Sequence, residues 1–511
     1  MPFSERAGRP SVSAMTIAET RSGKVQGEER DGVLVFKGVP YAAPPVGARR
    51  WLAPAREDRW DGVRDATQFS PQSAQGAFAM NAMLGGPEPV TSEDSLYLNV
   101  WTPACDDAKR PVMMWIHGGA FVFGSGDTPW YDGTAFAEHG DVVVVTINYR
   151  LGAFGFLHLA DLFGSEFEGS GNVGILDQAA ALEWVRDSIA AFGGDPEGVT
   201  VFGESAGAGS VGTLLGLPAA RGLFHKAIPQ SGASSWWAPR ERASAITQEF
   251  IDKLGIRAGD SETLRALSTD AIIAGATGLG SMSPSGGALA FQPVVDGTVL
   301  PRPPLDTIDA GNADGVHLLV GTNRHEATLF NLMDPDLATV DDTGIARRVG
   351  RWYGADAGGL VASYRSRRDE MTPLDLWTDV GTDAVFRIPA IRLAEAQLAH
   401  GPVWMYLFTW ETLVFGGVLR SSHALEIPFA FDTLESAQMF TGDAPERQAI
   451  ADAMHAAWIA FARSGDPNCD AIPEWPAYDR AHRATMRFDT EREVVDDPMG
   501  EDRAAWGEFR R

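Results

Sequence analysis

Gly203-Glu204-Ser205-Ala206-Gly207 sets a serine between two glycines, the G-x-S-x-G pattern of a nucleophile carried on a tight strand-to-helix turn. The chemistry explains the residue types. The serine oxygen must project from the end of a sheet, the glycines let neighbouring chain pass without Cβ clashes, and the helix that follows points its positive end at developing negative charge. The bare pattern is weak, but its context strengthens it. Val199–Phe202 reads as a strand immediately before it, and Ala206–Leu217 as a small, apolar helix immediately after, ending before Pro218. A second segment, Trp115-Ile116-His117-Gly118-Gly119-Ala120-Phe121, follows another apolar run. Its small residues would free backbone N–H groups to face a substrate oxygen, with Ala206 N–H as a third donor.

Such a serine needs a frame. Val112–Ile116, Val142–Ile147, Val199–Phe202, Leu318–Val320 and Val403–Thr409 are short continuous apolar runs, the pattern of strands buried on both faces. Helical spacing separates several of them. Leu176–Phe192 is the clearest case, and it stops at Gly193-Gly194, a C-terminal capping signal. Alternation of this kind predicts an α/β fold: a large, mostly parallel sheet with helices on both faces. Residues 16–511 read as one domain, with long excursions at about 240–300 and 325–385 that would shape a pocket above the sheet. Gly275–Gly287, rich in Gly and Ser, reads as a surface loop, and residues 1–15 as a disordered segment. Met15 is an alternative start.

Composition narrows the partners. Sixty-eight acidic against 42 basic residues give a net charge of −26. Nucleic-acid binding and a polybasic membrane patch both need the opposite sign. No run approaches a membrane span, no apolar segment follows the N-terminal basic residues, and two cysteines make no disulfide framework. These features together read as a cytoplasmic protein. His325-Glu326 begins like a zinc helix, but position 329 is Leu rather than His, and no other metal spacing occurs. No metal and no cofactor are expected.

A catalytic serine of this type needs a base and an orienting carboxylate downstream, in the order Ser, acid, His. Ten histidines are present and spacing does not choose among them. A resemblance does. Phe36-Lys37-Gly38-Val39-Pro40-Tyr41-Ala42, Ser92–Val100 (SEDSLYLNV), Asn148-Tyr149-Arg150-Leu151-Gly152 and Phe192–Gly207 resemble the motifs of the type-B carboxylesterases. That family includes bacterial para-nitrobenzyl esterases, cholinesterases and the non-catalytic neuroligins. The likeness runs from about residue 20 to 490 and implies the α/β-hydrolase fold. Gly321–Glu326 resembles the family segment that carries the triad Glu, which implies Glu326. Ser422-His423-Ala424-Leu425-Glu426-Ile427 resembles its H-x-x-E-[IL] segment, which implies His423 as the base. Ser231, in Gln230-Ser231-Gly232, matches a serine that supports the triad acid in the family.

Departures are informative. Ser95 stands where S-E-D-C has Cys, and Met80–Pro89 holds no tryptophan of the kind on which cholinesterases seat the choline cation. Before Phe291-Gln292-Pro293-Val294-Val295-Asp296-Gly297, two acyl-pocket aromatics of the cholinesterases correspond to Gly287 and Leu289, which implies a roomier acyl side. Trp236 and Trp237 are candidates for walling it. The expected activity is hydrolysis of small-molecule carboxylic esters. Ser205 attacks, His423 takes its proton, Glu326 orients the imidazole, and Gly119, Ala120 and Ala206 hold the oxyanion. An unperturbed imidazole would make the rate rise from roughly pH 5 to 8. The alternatives are an amidase or carbamate hydrolase on the same site, and a neuroligin-like binding protein, against which the intact Ser205, Glu326 and His423 argue. Oligomeric state is not legible.

Overall fold

The computed structural model describes residues 15–76, 90–279, 289–353, 356–368, 370–507 and 509. Twelve strands run side by side. They are β1 Met15–Glu19, β2 Lys24–Arg30, β3 Val33–Pro40, β4 Tyr97–Thr102, β5 Arg110–Ile116, β6 Val143–Ile147, β7 Gly194–Glu204, β8 Lys226–Gln230, β9 His317–Asn323, β10 Val403–Phe408, β11 Ala484–Phe488 and β12 Glu493–Asp496. Their spatial order is β1-β2-β3-β4-β6-β5-β7-β8-β9-β10-β11-β12, and Val63–Asp65 pairs beside β2 as a thirteenth. From β6 to β11 every pairing is parallel, while β1–β4 and β12 form antiparallel margins.

The apolar runs fall in the parallel centre, and their period explains why they are continuous. In β5, Val112, Met114 and Ile116 enter one core while Met113 and Trp115 enter the other, and β7 divides Val199 and Val201 from Phe202 in the same way. Both faces are therefore apolar, and helices cover each. α1 (Val173–Ser188) and α2 (Ala206–Gly216) lie on the first face, and α6 (Arg447–Ser464) presents Ile450, Met454, Trp458 and Phe461 to the second. The predicted helix at 176–192 begins three residues earlier, at Val173. It tightens into a 3₁₀ turn, Ile189–Phe192, and ends on Gly193 at φ 75°.

Two expectations change. Met15, grouped with the disordered segment, is the first residue of β1; residues 1–14 lie outside the described residues. Gly275 is no loop residue. It belongs to α3 (Thr269–Ala276), whose N-terminus is capped by Ser268 Oγ accepting from Ala271 N–H. The rest of that stretch, 280–288, lies outside the described residues, and Gly287 with it. The second excursion is largely helical and includes α4 (Pro373–Thr382); α5 (Ile388–Gln397) follows it.

Candidate active site

The carboxyl ends of the parallel strands lie level, since Ile116 pairs with Gly203, Glu204 with Gln230, and Gln230 with Gly321. Loops leaving these ends bring the expected residues together, as an open α/β sheet places its site. Ser205 follows β7 at φ 57°, ψ −122°, a strained conformation that a tight turn imposes at a cost of roughly 1–3 kcal/mol. Its N–H is held by Gln230 O, and its own carbonyl accepts from Gly209 N–H in the first turn of α2. Gly207 is required here, because a Cβ on it would stand 2.0 Å from Ile116 O.

The loop after β5 is equally tight. Gly119 has φ 108°, and a Cβ there would meet Phe123 O at 2.0 Å. Ala120 and Phe121 follow at φ 53° and 62°. Val122 and Phe123 N–H both bond back to Gly119 O, Tyr149 Oη donates to His117 O at 2.9 Å, and Gln75 brackets Gly124 with two bonds. The N–H groups of Gly119 and Ala120 donate to no acceptor among the described residues. Ala206 N–H, at the first position of α2, is outside the intrahelical ladder. Three donors are thus left for a ligand oxygen.

His423 Nδ1 donates to Glu326 Oε2 at 2.7 Å, and Glu326 Oε1 accepts the Asn323 N–H at 2.7 Å. Both side chains are buried. The other imidazole nitrogen, Nε2, faces Glu204 Oε1 at 3.1 Å, and no hydrogen bond joins it to Ser205 Oγ among the described residues. Unliganded sites often hold this bond open. Behind the pair lies a third buried carboxyl, Glu426, held by Asn323 Nδ2 at 2.6 Å and Gln230 Nε2 at 3.2 Å.

Three buried carboxyls crowd one imidazole. Burial, then Glu426 and Glu326, push the Glu204 carboxyl well above its ordinary range, against the pull of His423. Burial and Glu326 push Glu426 up to about 7. Burial works against the imidazolium, but Glu204 and Glu326 outweigh it and lift His423 to about 9. The histidine therefore holds its proton to higher pH than the unperturbed side chain assumed from sequence. The other histidines in these segments are unsuited as bases: burial lowers His117 to about 4 and, with Arg324 and Arg420 beside it, His325 to about 3.

Ser231, expected beside the triad acid, makes no hydrogen bond to Glu326 among the described residues. Its Oγ finds no partner among the described residues, and Glu326 accepts from the Asn323 N–H instead. Trp236 packs against Gly209, one helical turn from Ser205, whereas Trp237 is half-buried and stacks on no ring among the described residues. Leu289 lines a cavity of about 300 Å³ that Val122, Ile273, Phe291 and, from the loop after β5, Ala120 share. Sequence reasoning passed over Glu204 and Glu426, although both stand in motifs it quoted, and over Phe330 and Phe386, whose rings lie 5.0 and 4.7 Å from that of His423. Among the described residues no group of three or more His, Cys, Asp or Glu is arranged to hold a metal, and no helix is long and apolar enough to cross a membrane.

Comparison with known proteins gives a consistent picture. The model of the carboxylesterase family matches residues 14–506. The para-nitrobenzyl esterase of Bacillus subtilis (strain 168) is 40 % identical over 491 residues, covering 95 % of this chain and 97 % of that protein. The phenmedipham hydrolase of Pseudarthrobacter oxydans is 36 % identical over 90 % of this chain and 92 % of its own length. The crystal structure of a Geobacillus stearothermophilus carboxylesterase superposes with a TM-score of 0.88 at 47 % identity, covering 96 % of this chain and all of that one.

Proposed function

This chain belongs to the carboxylesterase family and is a serine hydrolase of carboxylic esters, and from that premise we propose that Ser205, His423 and Glu326 carry the reaction. The observation that supports this best is the 2.7 Å bond from His423 Nδ1 to Glu326, set at the same strand ends as the strained Ser205. Ser205 Oγ attacks the ester carbonyl and gives its proton to His423 Nε2. The carbonyl oxygen, now negative, takes hydrogen bonds from Gly119, Ala120 and Ala206 N–H. His423 returns the proton to the departing alkoxide, and water, deprotonated by the same imidazole, releases the acid from the acyl-enzyme. Glu326 holds the ring orientation and balances its charge at each step. Before the attack, Nε2 must let go of Glu204.

The substrates in this reading are aryl and alkyl esters of varied size, consistent with Leu289 in the cavity beside Ala120. Residues 16–511 act as one catalytic domain, in the cytoplasm. The test is a panel of p-nitrophenyl esters of increasing acyl length beside the matched p-nitroanilides and p-nitrophenyl carbamates. Turnover of the esters well above that of the others is expected; faster turnover of anilides or carbamates would replace the ester preference with the amidase or carbamate reading.

A further inference from the structure

Large apolar side chains gather at one place on the described surface. Leu413, Phe415 and Val418 are 77, 56 and 51 % exposed on the loop that leaves β10, and Met439 is exposed on the short helix Gln438–Thr441 beside it. Leu374, at the start of α4, and Leu332, just after the helix Ala327–Asn331, belong to the same group. Hydrogen bonds join these pieces edge to edge. Thr412 Oγ1 donates to Phe440 O at 2.9 Å, Arg420 Nη2 to Asp375 Oδ1 at 2.6 Å, Thr328 Oγ1 to Leu419 O at 2.5 Å, and Asn331 Nδ2 to Thr378 Oγ1 at 2.9 Å. Monomeric proteins rarely leave neighbouring apolar groups in water in this way, and such patches mark surfaces that meet a partner.

The loop holds its apolar groups outward. Phe415 sits at φ 51°, ψ 32°, and Gly416 and Gly417 continue the left-handed run at 72° and 80°. That conformation is unfavourable for a bulky residue, yet the Phe415 ring stacks on no other ring among the described residues. The patch also stands at the active-site end of the sheet. Phe408, the last residue of β10, pairs with Asn323 at the end of β9. The loop runs from there to Ser421, whose carbonyl accepts from His325 N–H at 2.9 Å, and then to His423.

Charge decides what can cover it. The exposed charges of the same segments are acids, Asp336, Glu411, Glu435 and Asp443, while Arg420 is held by Asp375. With a net charge of −26 on the chain, an anionic membrane is repelled and so is a second copy. An uncharged apolar surface meets no such barrier. Carboxylic esters supply one, because those with long or several acyl chains separate from water as droplets. We propose that this patch docks on the oil–water interface of an undissolved neutral ester, with the active-site end of the sheet turned to the substrate. The nature of that partner rests on the esterase reading above.

The experiment mixes wild type and the triple variant Leu413→Ser/Phe415→Ser/Val418→Ser with triolein emulsions stabilised by phosphatidylcholine, with and without phosphatidylglycerol. Centrifugation separates floating from free protein. A second variant, Leu374→Ser/Met439→Ser, alters other segments of the patch and serves if the first fails to fold. Hydrolysis of dissolved p-nitrophenyl acetate, expected within about twofold of wild type, shows which variants are folded. Wild type is expected to float with the neutral emulsion, and the variants to bind about tenfold more weakly, because adsorption scales with the apolar area buried. Phosphatidylglycerol should weaken the binding of wild type. Tributyrin hydrolysis by wild type should climb once the ester passes its solubility limit, and that rise should be lost in the variants. Failure of wild type to float, or equal floating of wild type and folded variants, overturns the inference. A wild type that sediments as a dimer where the variants are monomers assigns the patch to a second copy and overturns it as well. Adsorption needs no turnover, so a wild type that floats yet hydrolyses no ester supports the docking surface and overturns the esterase reading alone.

Discussion

Around Ser205 and the loop after β5, the contacts that matter are made by main chain: a positive φ at Gly119, Ala120, Phe121 and Ser205, carbonyls 2.0 Å from the Cβ positions of Gly119 and Gly207, and N–H groups left free. Around His423 they are made by side chains that arrive from separate strand ends, with Glu204, Glu326 and Glu426 all buried beside one imidazole. The first half has no room for added bulk but carries no formal charge. The second is governed by charge, because buried carboxyls interact in a low-dielectric interior where a single proton changes every neighbour. One half should therefore fail on steric change and the other on electrostatic change.

The largest effect lies where the halves meet. Ser205→Ala removes the nucleophile and adds no bulk, so kcat should fall by about 10⁴-fold or more while the unfolding temperature hardly moves. Ester hydrolysis close to the wild-type rate in purified protein would end the assignment of Ser205.

Gly119→Ala tests the backbone half. The new Cβ cannot fit beside Phe123 O, and φ 108° is unfavourable for any L residue, so the loop must shift and misplace its donors. A loss in kcat of about 10²–10³-fold is expected, the scale of one oxyanion donor, with a smaller change in KM. Near-normal kcat in a titrated preparation would mean that the loop does not hold the oxyanion.

The smallest effect tests the charged half. The base must be neutral to accept a proton, and the carboxylates stabilise its charged form, lifting His423 to about 9. A folded-state value raised in this way keeps the imidazole occupied to higher pH, so kcat/KM should still be climbing above pH 7, later than an unperturbed histidine allows. Glu204→Gln removes one of the stabilising charges without changing shape. The ascending limb of its pH–rate profile should move to lower pH by about 1–3 units. A limb that stays in place would show that Glu204 does not share the base's proton.

The same contrast explains what could be read in advance. The central strands were legible because burial on both faces demands continuous apolar residues; β5 extends only two residues beyond the run Val112–Ile116. The antiparallel margin was not, since a strand such as Lys24–Arg30 is charged and half exposed and carries no such signal. α3 was missed at Gly275 because glycine reads locally as a turn, whereas here the helix packs so close that a Cβ would stand 2.8 Å from both the Phe250 ring and the Leu254 side chain.

Within the site, the amino-acid sequence by itself determined the tight turn at Ser205 and the tight loop after β5, because such backbone is built from near neighbours whose small size is written in order. Family resemblance pointed to Glu326 and His423. Only the tertiary structure decided that the Asn323 N–H meets Glu326, that Glu204 faces His423, and that the rings of Phe330 and Phe386 lie against it. Those are meetings between groups remote in the chain, Glu326 and His423 being 97 residues apart. Their charges and contacts add up in three dimensions, where no local pattern records the sum.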